Sequence, residues 1–444
     1  MQYLDQVKNF ANEIVTELVK AGHRAFFAGG CVRDMLRGEV PKDYDVATSA
    51  TPSEVMKLFR RTVPVGVAFG VVRVLNRDDP PIQIEVATFR AEAGYSDGRH
   101  PDSVTFTDEV QDVKRRDFTV NGLLFDPLKQ EVLDYVDGRR DLERKIIRAI
   151  GDPKARFAED HLRMLRAVRF ACNLGFELEG ATLGAIKDHA PDIKTVSAER
   201  IRDELNKMLT GQSPLRALEL LKKTGLLKQF LPEIEALEGV KQPPQFHPEG
   251  DVWIHTLMLL EQLDHPPLTL ALGALFHDVG KPPTFEISDR IRFNEHEHVG
   301  ARMTEEILTR LKYPNEIIEQ TVALVKQHMV FKDVQHMRPA TLKRFLRQDH
   351  FEDHLALHRL DCMASHGDLT AYEFCEAEMS KQPPAALRPV PLVTGADLIA
   401  LGLKPGPAFK TILKEVEDRQ LEGALVEKDA AIKYVKELVK GLAK

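Results

Sequence analysis

The sequence predicts an α+β fold: a small mixed sheet with helices at the N-terminus, then an all-α remainder. Short runs rich in Val, Ile and Phe, bounded by Gly or Pro, mix with helical patterns in the first 150 residues. From Asp152 onward apolar residues recur at three- and four-residue spacing almost everywhere. At 444 residues the chain is too long for a single core.

Taken in order, MQYLDQVKNFANEIVTELVK is an amphipathic helix with charges throughout, which is no secretory leader. AFFAGG, VAFGVVRVL and IQIEVATF read as strands. A polar loop, AEAGYSDGRHPDSVTFTDEV, separates the last of these from KRRDFTVNGLLFD. Boundaries fall at Gly151-Asp152-Pro153 and at two Pro-rich linkers, QPPQFHPEG (242–250) and KQPPAALRPVPLV (381–393). They mark units 1–150, 151–242, 243–382 and 383–444. No internal repeat is visible.

Composition narrows the class without naming it. The chain is 43% hydrophobic and 29% charged, ordinary for a soluble globular protein. No stretch approaches the ~18 uncharged apolar residues that a membrane span needs. Cys31, Cys172, Cys362 and Cys375 are scattered and form no C-x-x-C pair, which fits a reducing cytoplasm. The net charge of −7 argues mildly against a nucleic-acid partner. Yet Val113–Phe170 carries fourteen Lys/Arg against ten Asp/Glu, so charge leaves the partner open.

The chemistry-bearing signal is AGGCVRDMLRGEVPKDYDVAT. Asp43 and Asp45 stand two apart at the start of a strand and so aim at one point. Two carboxylates so close repel unless a cation sits between them, and hard oxygen ligands suit Mg²⁺. Glu85 lies in the middle of an otherwise apolar strand; buried without a partner it would be costly, so it is expected at the same metal. Paired metals would activate an attacking hydroxyl and neutralise a leaving pyrophosphate. Gly29-Gly30 would let the backbone approach a triphosphate, with Arg33 gripping a phosphate oxygen.

RRDFTVNG and AEDHLRMLRAVRF supply the remaining nucleotide-binding candidates. Arg116 and Asp117 suit phosphate and ribose; Asn121 reads first as fixing the turn and is kept with the same set. Asp160 and Arg163, three apart on a helix, share a face, with Arg166 and Arg169 further along. An intrahelical ion pair is the plain reading. A functional one is that carboxylate and guanidinium together match the edges of C and A and reject U and G.

In this order the motifs FAGGCVRDMLRG, KDYDVAT, IEVATFR, RRDFTVNGLLFD, EDHLRMLRAVRFA and ERIRDEL resemble the class II tRNA nucleotidyltransferase and bacterial poly(A) polymerase family, over residues 24 to about 205. The resemblance implies a polymerase-β-like nucleotidyltransferase head followed by helical neck, body and tail. It also implies Mg²⁺ on Asp43, Asp45 and Glu85, base reading by Asp160 and Arg163, and CTP, ATP and tRNA as partners. The polar loop after Arg90 is similar to the family's flexible loop, which switches from C to A. The full length of that loop favours complete CCA addition over a CC-only enzyme. VGVAFGVVRVL lacks the basic G-[RK]-[RK]-F run of poly(A) polymerases, which favours a tRNA-end enzyme over poly(A) synthesis; poly(A) synthesis and partial CC or A addition are the alternatives.

The second half holds another constellation. His255, His277-Asp278 and Asp361 lie on successive helix patterns, where nitrogen and oxygen ligands from packed helices suit a divalent metal. The stretch from about 250 to 365 resembles the HD phosphohydrolase domain, whose H…HD…D set these residues match. His296 and His328 match positions that some members add. The resemblance implies Mg²⁺, Mn²⁺ or Ni²⁺ and hydrolysis of 2′,3′-cyclic or 2′-phosphates at RNA ends. A phosphohydrolase with a non-catalytic RNA-binding head is the alternative from another class. The tail, VTGADLIALGLKPGPAFKTILKEVEDRQLEG, is a helix–turn–helix pattern that either holds a phosphate at its turn or simply caps the body.

Overall fold

The computed structural model describes residues 2–94, 103–245, 247–381 and 387–442. These divide into two compact units, 1–235 and 236–444.

The first unit is built on seven strands: β1 (Ala25–Ala28), β2 (Asp45–Thr48), β3 (Thr62–Gly66), β4 (Val71–Leu75), β5 (Gln83–Thr88), and, after a separate hairpin of β6 (Arg90–Ala93) and β7 (Ser103–Phe106), β8 (Leu124–Asp126) and β9 (Glu131–Leu133). They lie in the order β3-β4-β5-β2-β1-β8-β9. β2 and β5 run parallel; the other pairings are antiparallel. The mixed sheet expected from the sequence is therefore present, with more strands than the three runs suggested. The helix Gln2–Lys20 buries Val7, Ala11, Ile14, Val15 and Leu18, one stripe at three- and four-residue spacing, against it.

Two expectations change here. VAFGVVRVL is not one strand: Val67–Phe69 forms a 3₁₀ turn, and only Val71–Leu75 joins the sheet. Gly70 between them has φ +78°, and a Cβ there would meet Phe106 at 3.1 Å and Thr88 at 3.3 Å. The polar loop after Arg90 is in part a hairpin, β6 (Arg90–Ala93) pairing with β7 (Ser103–Phe106). Its centre, 95–102, lies outside the described residues.

Helices follow the sheet within the first unit: Pro153–Glu159, Leu162–Leu174, Gly180–His189, Ala198–Leu209 and Pro214–Lys223. In the second unit, Val252–Glu261, Leu268–Phe276, His296–Arg310, Asn315–Gln327 and Phe351–Ala364 surround a common core. Leu268–Phe276 is buried from Thr269 onward, as its uninterrupted apolar sequence requires. The remainder is not wholly α: Phe285–Ile287 and Ile291–Phe293 form a solvent-facing hairpin. Nor is QPPQFHPEG a free linker. It folds back on itself, with Gln242 N donating to Gly250 O at 3.1 Å and Gly250 N to His247 O at 3.0 Å. In the tail, a Thr394–Asp397 capping box starts Gly395–Ala400, which packs with Pro407–Leu421 and Lys428–Leu442 around Leu398, Ile412, Val416 and Val435. Among the described residues no helix is long and apolar enough to cross a membrane.

Candidate active sites

The parallel pairing of β2 and β5 sets Asp45 directly beside Glu85. Strand alternation turns Ile84, Val86 and Thr88 into the core and leaves Gln83 and Glu85 on the open face. Asp43 lies just ahead of β2, with Tyr44 between the two acids buried edge-on against Phe27 at 5.1 Å. The Asp45 carboxyl still reaches solvent, yet it is pushed up to about 6. Desolvation by the surrounding protein is the larger cause, then the charge of Glu85, with Asp43 adding and Arg116 opposing. The three acids thus share one electrostatic neighbourhood. Glu85 corrects one expectation: it is half-exposed and paired with Arg73 Nη2 at 2.8 Å, because β5 buries its even-numbered side chains instead.

Gly29, φ +73°, turns the chain from β1 into the helix Gly30–Leu36. A Cβ at Gly29 would lie 3.3 Å from Arg116 Nη1, so that glycine makes room for a guanidinium beside the acids; at Gly30 it would lie 3.7 Å from Arg33 Nη2. Arg33 Nη1 donates to Asn121 Oδ1 at 2.8 Å, and Asn121 Nδ2 to Asp117 Oδ1 at 3.3 Å. Asn121 therefore ties two other candidates together as well as closing its turn. Arg116 depends on a residue that the sequence reading missed. Asp112, buried, takes Arg116 Nη2 on Oδ2 at 3.0 Å and Arg115 Nη2 on Oδ1 at 2.7 Å. An acid three and four residues ahead of two arginines was the available signal.

Asp160 and Arg163 do not sit on one helix. The chain breaks between Pro153–Glu159 and Leu162–Leu174, with Asp160 in extended conformation at the break. There its Oδ1 accepts from Leu162 N at 3.1 Å, and its Oδ2 pairs with Arg200 at 3.0 Å. Arg163 reaches back to Glu159 at 2.5 Å and to the carbonyls of Arg156 and Arg115. Arg166 forks onto Asp117 Oδ2 at 2.6 and 2.8 Å, and Arg169 pairs with Glu204 at 2.6 Å. The predicted set lies in one unit, but its acids and arginines pair across elements rather than along a helix.

In the second unit His255, His277 and Asp361 offer ligand atoms within 4.8 Å of one another, and so do Asp278, His296 and His328. Asp278 lies between the two groups: Oδ2 is 3.1 Å from His277 Nε2, and Oδ1 is 3.6 Å from His296 Nε2 and 3.9 Å from His328 Nε2. Three rings are oriented alike. Nδ1 of His277, His296 and His328 meets the carbonyl of Ala274, Phe293 and Val325 at 3.0, 3.0 and 2.6 Å, which leaves Nε2 as the free lone pair. His296 and His328 then face each other through Nε2 at 3.2 Å. Burial first, then His296 and His277, pushes His328 down to about 3, so it is neutral.

Lone pairs converging on one point repel unless a cation lies between them. Both nitrogens of His255, Nε2 of His277 and both oxygens of Asp278 are buried without a hydrogen-bond partner. His255 comes within 3.0 Å of Asp361 and 2.9 Å of Glu249, but neither contact has hydrogen-bond alignment. The donor set fits divalent metal. Lys281, buried, adds a positive charge 2.6 Å from Asp278 and is held by Gln242. Gln242, His247 and Glu249 come from the segment read as a linker, and only their placement after folding shows their part. The cluster floors a cavity of about 800 Å³ whose walls include Arg290, Arg292, Phe293 and Lys332.

Three segments match family models: 25–148 the poly A polymerase head domain, 175–237 the probable RNA and SrmB-binding site of polymerase A, and 251–373 the HD domain. Fold and site thus define a class, a nucleotidyltransferase head joined to an RNA-binding segment and an HD domain. The CCA-adding enzyme of Levilactobacillus brevis is 32% identical over 97% of this chain and 98% of its own length. That of Limosilactobacillus reuteri is 42% identical over 57% of this chain, a match that spans only 63% of the relative. The Bacillus stearothermophilus CCA-adding enzyme, solved in complex with CTP, superposes with TM-score 0.73 at 27% identity and 97% coverage of each chain. A Thermotoga maritima CCA-adding enzyme complexed with tRNA shares the fold at TM-score 0.60 and 17% identity. The chain belongs to the class II CCA-adding enzyme and poly(A) polymerase family.

Proposed function

We propose that this chain adds C, C and A to the 3′ end of tRNA from CTP and ATP, in the cytoplasm. One observation carries the reading: Asp45 beside Glu85 in register, with Asp43 two residues back and the Asp45 carboxyl pushed up to about 6 by desolvation and then by Glu85. Oxygen-only ligands suit Mg²⁺, which when bound would activate the terminal hydroxyl and neutralise leaving pyrophosphate. Asp43, Asp45 and Glu85 would hold it; Arg116, fixed by Asp112, lies near enough to Asp45 to oppose its raised pKa and would bind phosphate there. Asp160 and Arg163 read the base edge. Arg200 and Glu159 hold the two side chains until C or A supplies the matching acceptor and amino group.

The HD cluster we assign to two divalent ions, Mg²⁺, Mn²⁺ or Ni²⁺, shared through Asp278. When bound they supply a Lewis acid and an activated water for phosphoester hydrolysis at RNA ends, with 2′,3′-cyclic and 2′-phosphates the substrates expected. Lys281 and the arginines of the cavity wall would hold the phosphate.

The test is nucleotide addition to three tRNA transcripts, ending before CCA, after C and after CC. Completion of all three and then arrest supports the reading. Long A tails on arbitrary RNA would replace it with poly(A) synthesis, and failure on one transcript with partial addition. Asp43→Ala should abolish addition and spare hydrolysis, and His277→Ala the reverse; loss of both activities from either change sinks the two-site picture.

A further inference from the structure

Three guanidiniums surround one aromatic ring in the first unit. Phe170, in the helix Leu162–Leu174, has Arg169 at 4.1 Å, Arg166 at 5.4 Å and Arg33 at 5.5 Å from its ring centroid. The ring is 9% exposed and is held edge-on by fully buried Phe118 at 5.8 Å. Each arginine has an acid of its own: Asp34 for Arg33 at 2.7 Å, Asp117 for Arg166 and Glu204 for Arg169 at 2.6 Å each. Those acids come from different elements; Asn121 links Arg33 to the acid of Arg166, while Arg169 and Glu204 stand outside that chain of hydrogen bonds. The ring is what the three have in common.

We propose that Phe170 is a positioning residue that fixes Arg33, Arg166 and Arg169 as one cationic unit for the incoming nucleoside triphosphate. The inference rests on the reading of the head as a nucleotide site. Like charges gathered this closely repel, and the negative faces of an aromatic ring attract the cations that lie over them. Unlike a carboxylate, the ring consumes no N–H, so the guanidiniums keep donors for phosphate oxygens. Arg33 comes from the helix after Gly29-Gly30, while Arg166 and Arg169 come from the helix that also carries Arg163. Phe170 therefore couples the glycine turn to the base-reading helix. A purely space-filling residue would be replaceable by any apolar side chain of similar bulk.

The test uses the full chain carrying Phe170→Leu, Phe170→Met or Phe170→Tyr, with kcat and KM for CTP and ATP addition and the unfolding temperature measured for each. Phe170→Leu and Phe170→Met should raise KM for both nucleotides about tenfold and change kcat less than about twofold, with unfolding little altered. Phe170→Tyr, which keeps the ring face, should restore KM to within about twofold. Unchanged KM in the Leu and Met variants overturns the proposal. So does a Tyr variant as impaired as Leu, or a loss that tracks a lowered unfolding temperature in all three. Asp43→Ala, run alongside, separates the two failures: addition surviving there sinks the head reading itself. Addition abolished there, with KM insensitive to Phe170, sinks only this inference.

Discussion

Gly280→Ala should damage the HD cluster without touching any of its ligands. Gly280 lies two residues past Asp278, where the turn after Leu268–Phe276 meets the start of His296–Arg310. A Cβ at that position would sit 2.1 Å from the His296 carbonyl oxygen and 2.5 Å from Gly300 N. Both are backbone atoms, so no rotamer change relieves the clash. Ordinary contact begins near 3.5 Å, so the helix would have to retreat by more than about 1 Å. Overpacking costs about 1–3 kcal/mol, and a backbone-to-backbone clash belongs at the upper end. For a unit of this size about 3 kcal/mol lowers the unfolding temperature by roughly 6–12 °C. The retreat carries His296 away from Asp278 and His328, so the second ion should be lost before the first. Calorimetric unfolding of the metal-free chain reads the stability, and metal titration reads the stoichiometry. Gly184→Ala is the control: a Cβ there meets nothing within 4 Å, in the middle of Gly180–His189. It should gain about 0.5–1 kcal/mol. A Gly280→Ala protein that unfolds within about 2 °C of the parent and still binds two ions would refute the reasoning.

Asp45→Asn should lower nucleotide addition by about three orders of magnitude, several kcal/mol of lost charge stabilisation, with hydrolysis at RNA ends unchanged. His328→Ala should reduce bound metal from two ions to one, read by titration calorimetry. Asp112→Asn leaves two guanidiniums beside a neutral partner and should cost about 3 kcal/mol, measured from the urea midpoint. Burial alone would raise the Asp112 carboxyl, but Arg116 and then Arg115 outweigh it and leave it lowered. Its contribution is therefore present above the ordinary carboxylate range and lost as pH falls through the lowered value, so Asp112→Asn should flatten the acid limb of the stability curve.

What could be read from the chain was chemistry with a short period. Asp43-Tyr44-Asp45 declares itself because period two is a strand property, and alternation around Glu85 names the face once β5 is recognised. Asp160 and Arg163 are harder, since their helical spacing spans a break at Asp160 that three- and four-residue counting cannot reveal. Partners far apart in the chain were out of reach: Asp117 meets Arg166 forty-nine residues on, and Asp160 meets Arg200 forty residues on. β3 was missed because its exposed valines, Val63 and Val65, alternate with nothing polar enough to mark a face. By proline content QPPQFHPEG reads as a linker. Yet Gln242 is buried and the Glu249 side chain is almost covered, and covered polar groups need partners, which here are Lys281 and His247.

The two clusters solve opposite problems, and burial shows which is which. Asp43, just ahead of β2, and Glu85, on the open sheet face beside Arg73, are exposed, so the acids can wait for substrate and cation together. Asp278, His277 and His255 are almost wholly buried, out of reach of solvent screening, and even with Lys281 as a cation beside Asp278 their buried atoms without hydrogen-bond partners cost several kcal/mol until a metal is bound. The first arrangement suits ions that arrive with a triphosphate and leave with pyrophosphate. The second suits ions held through many turnovers. Dialysis against chelator followed by assay in trace metal should therefore silence the head at once and the HD site only slowly; equal rates of loss would mean that burial does not set residence here.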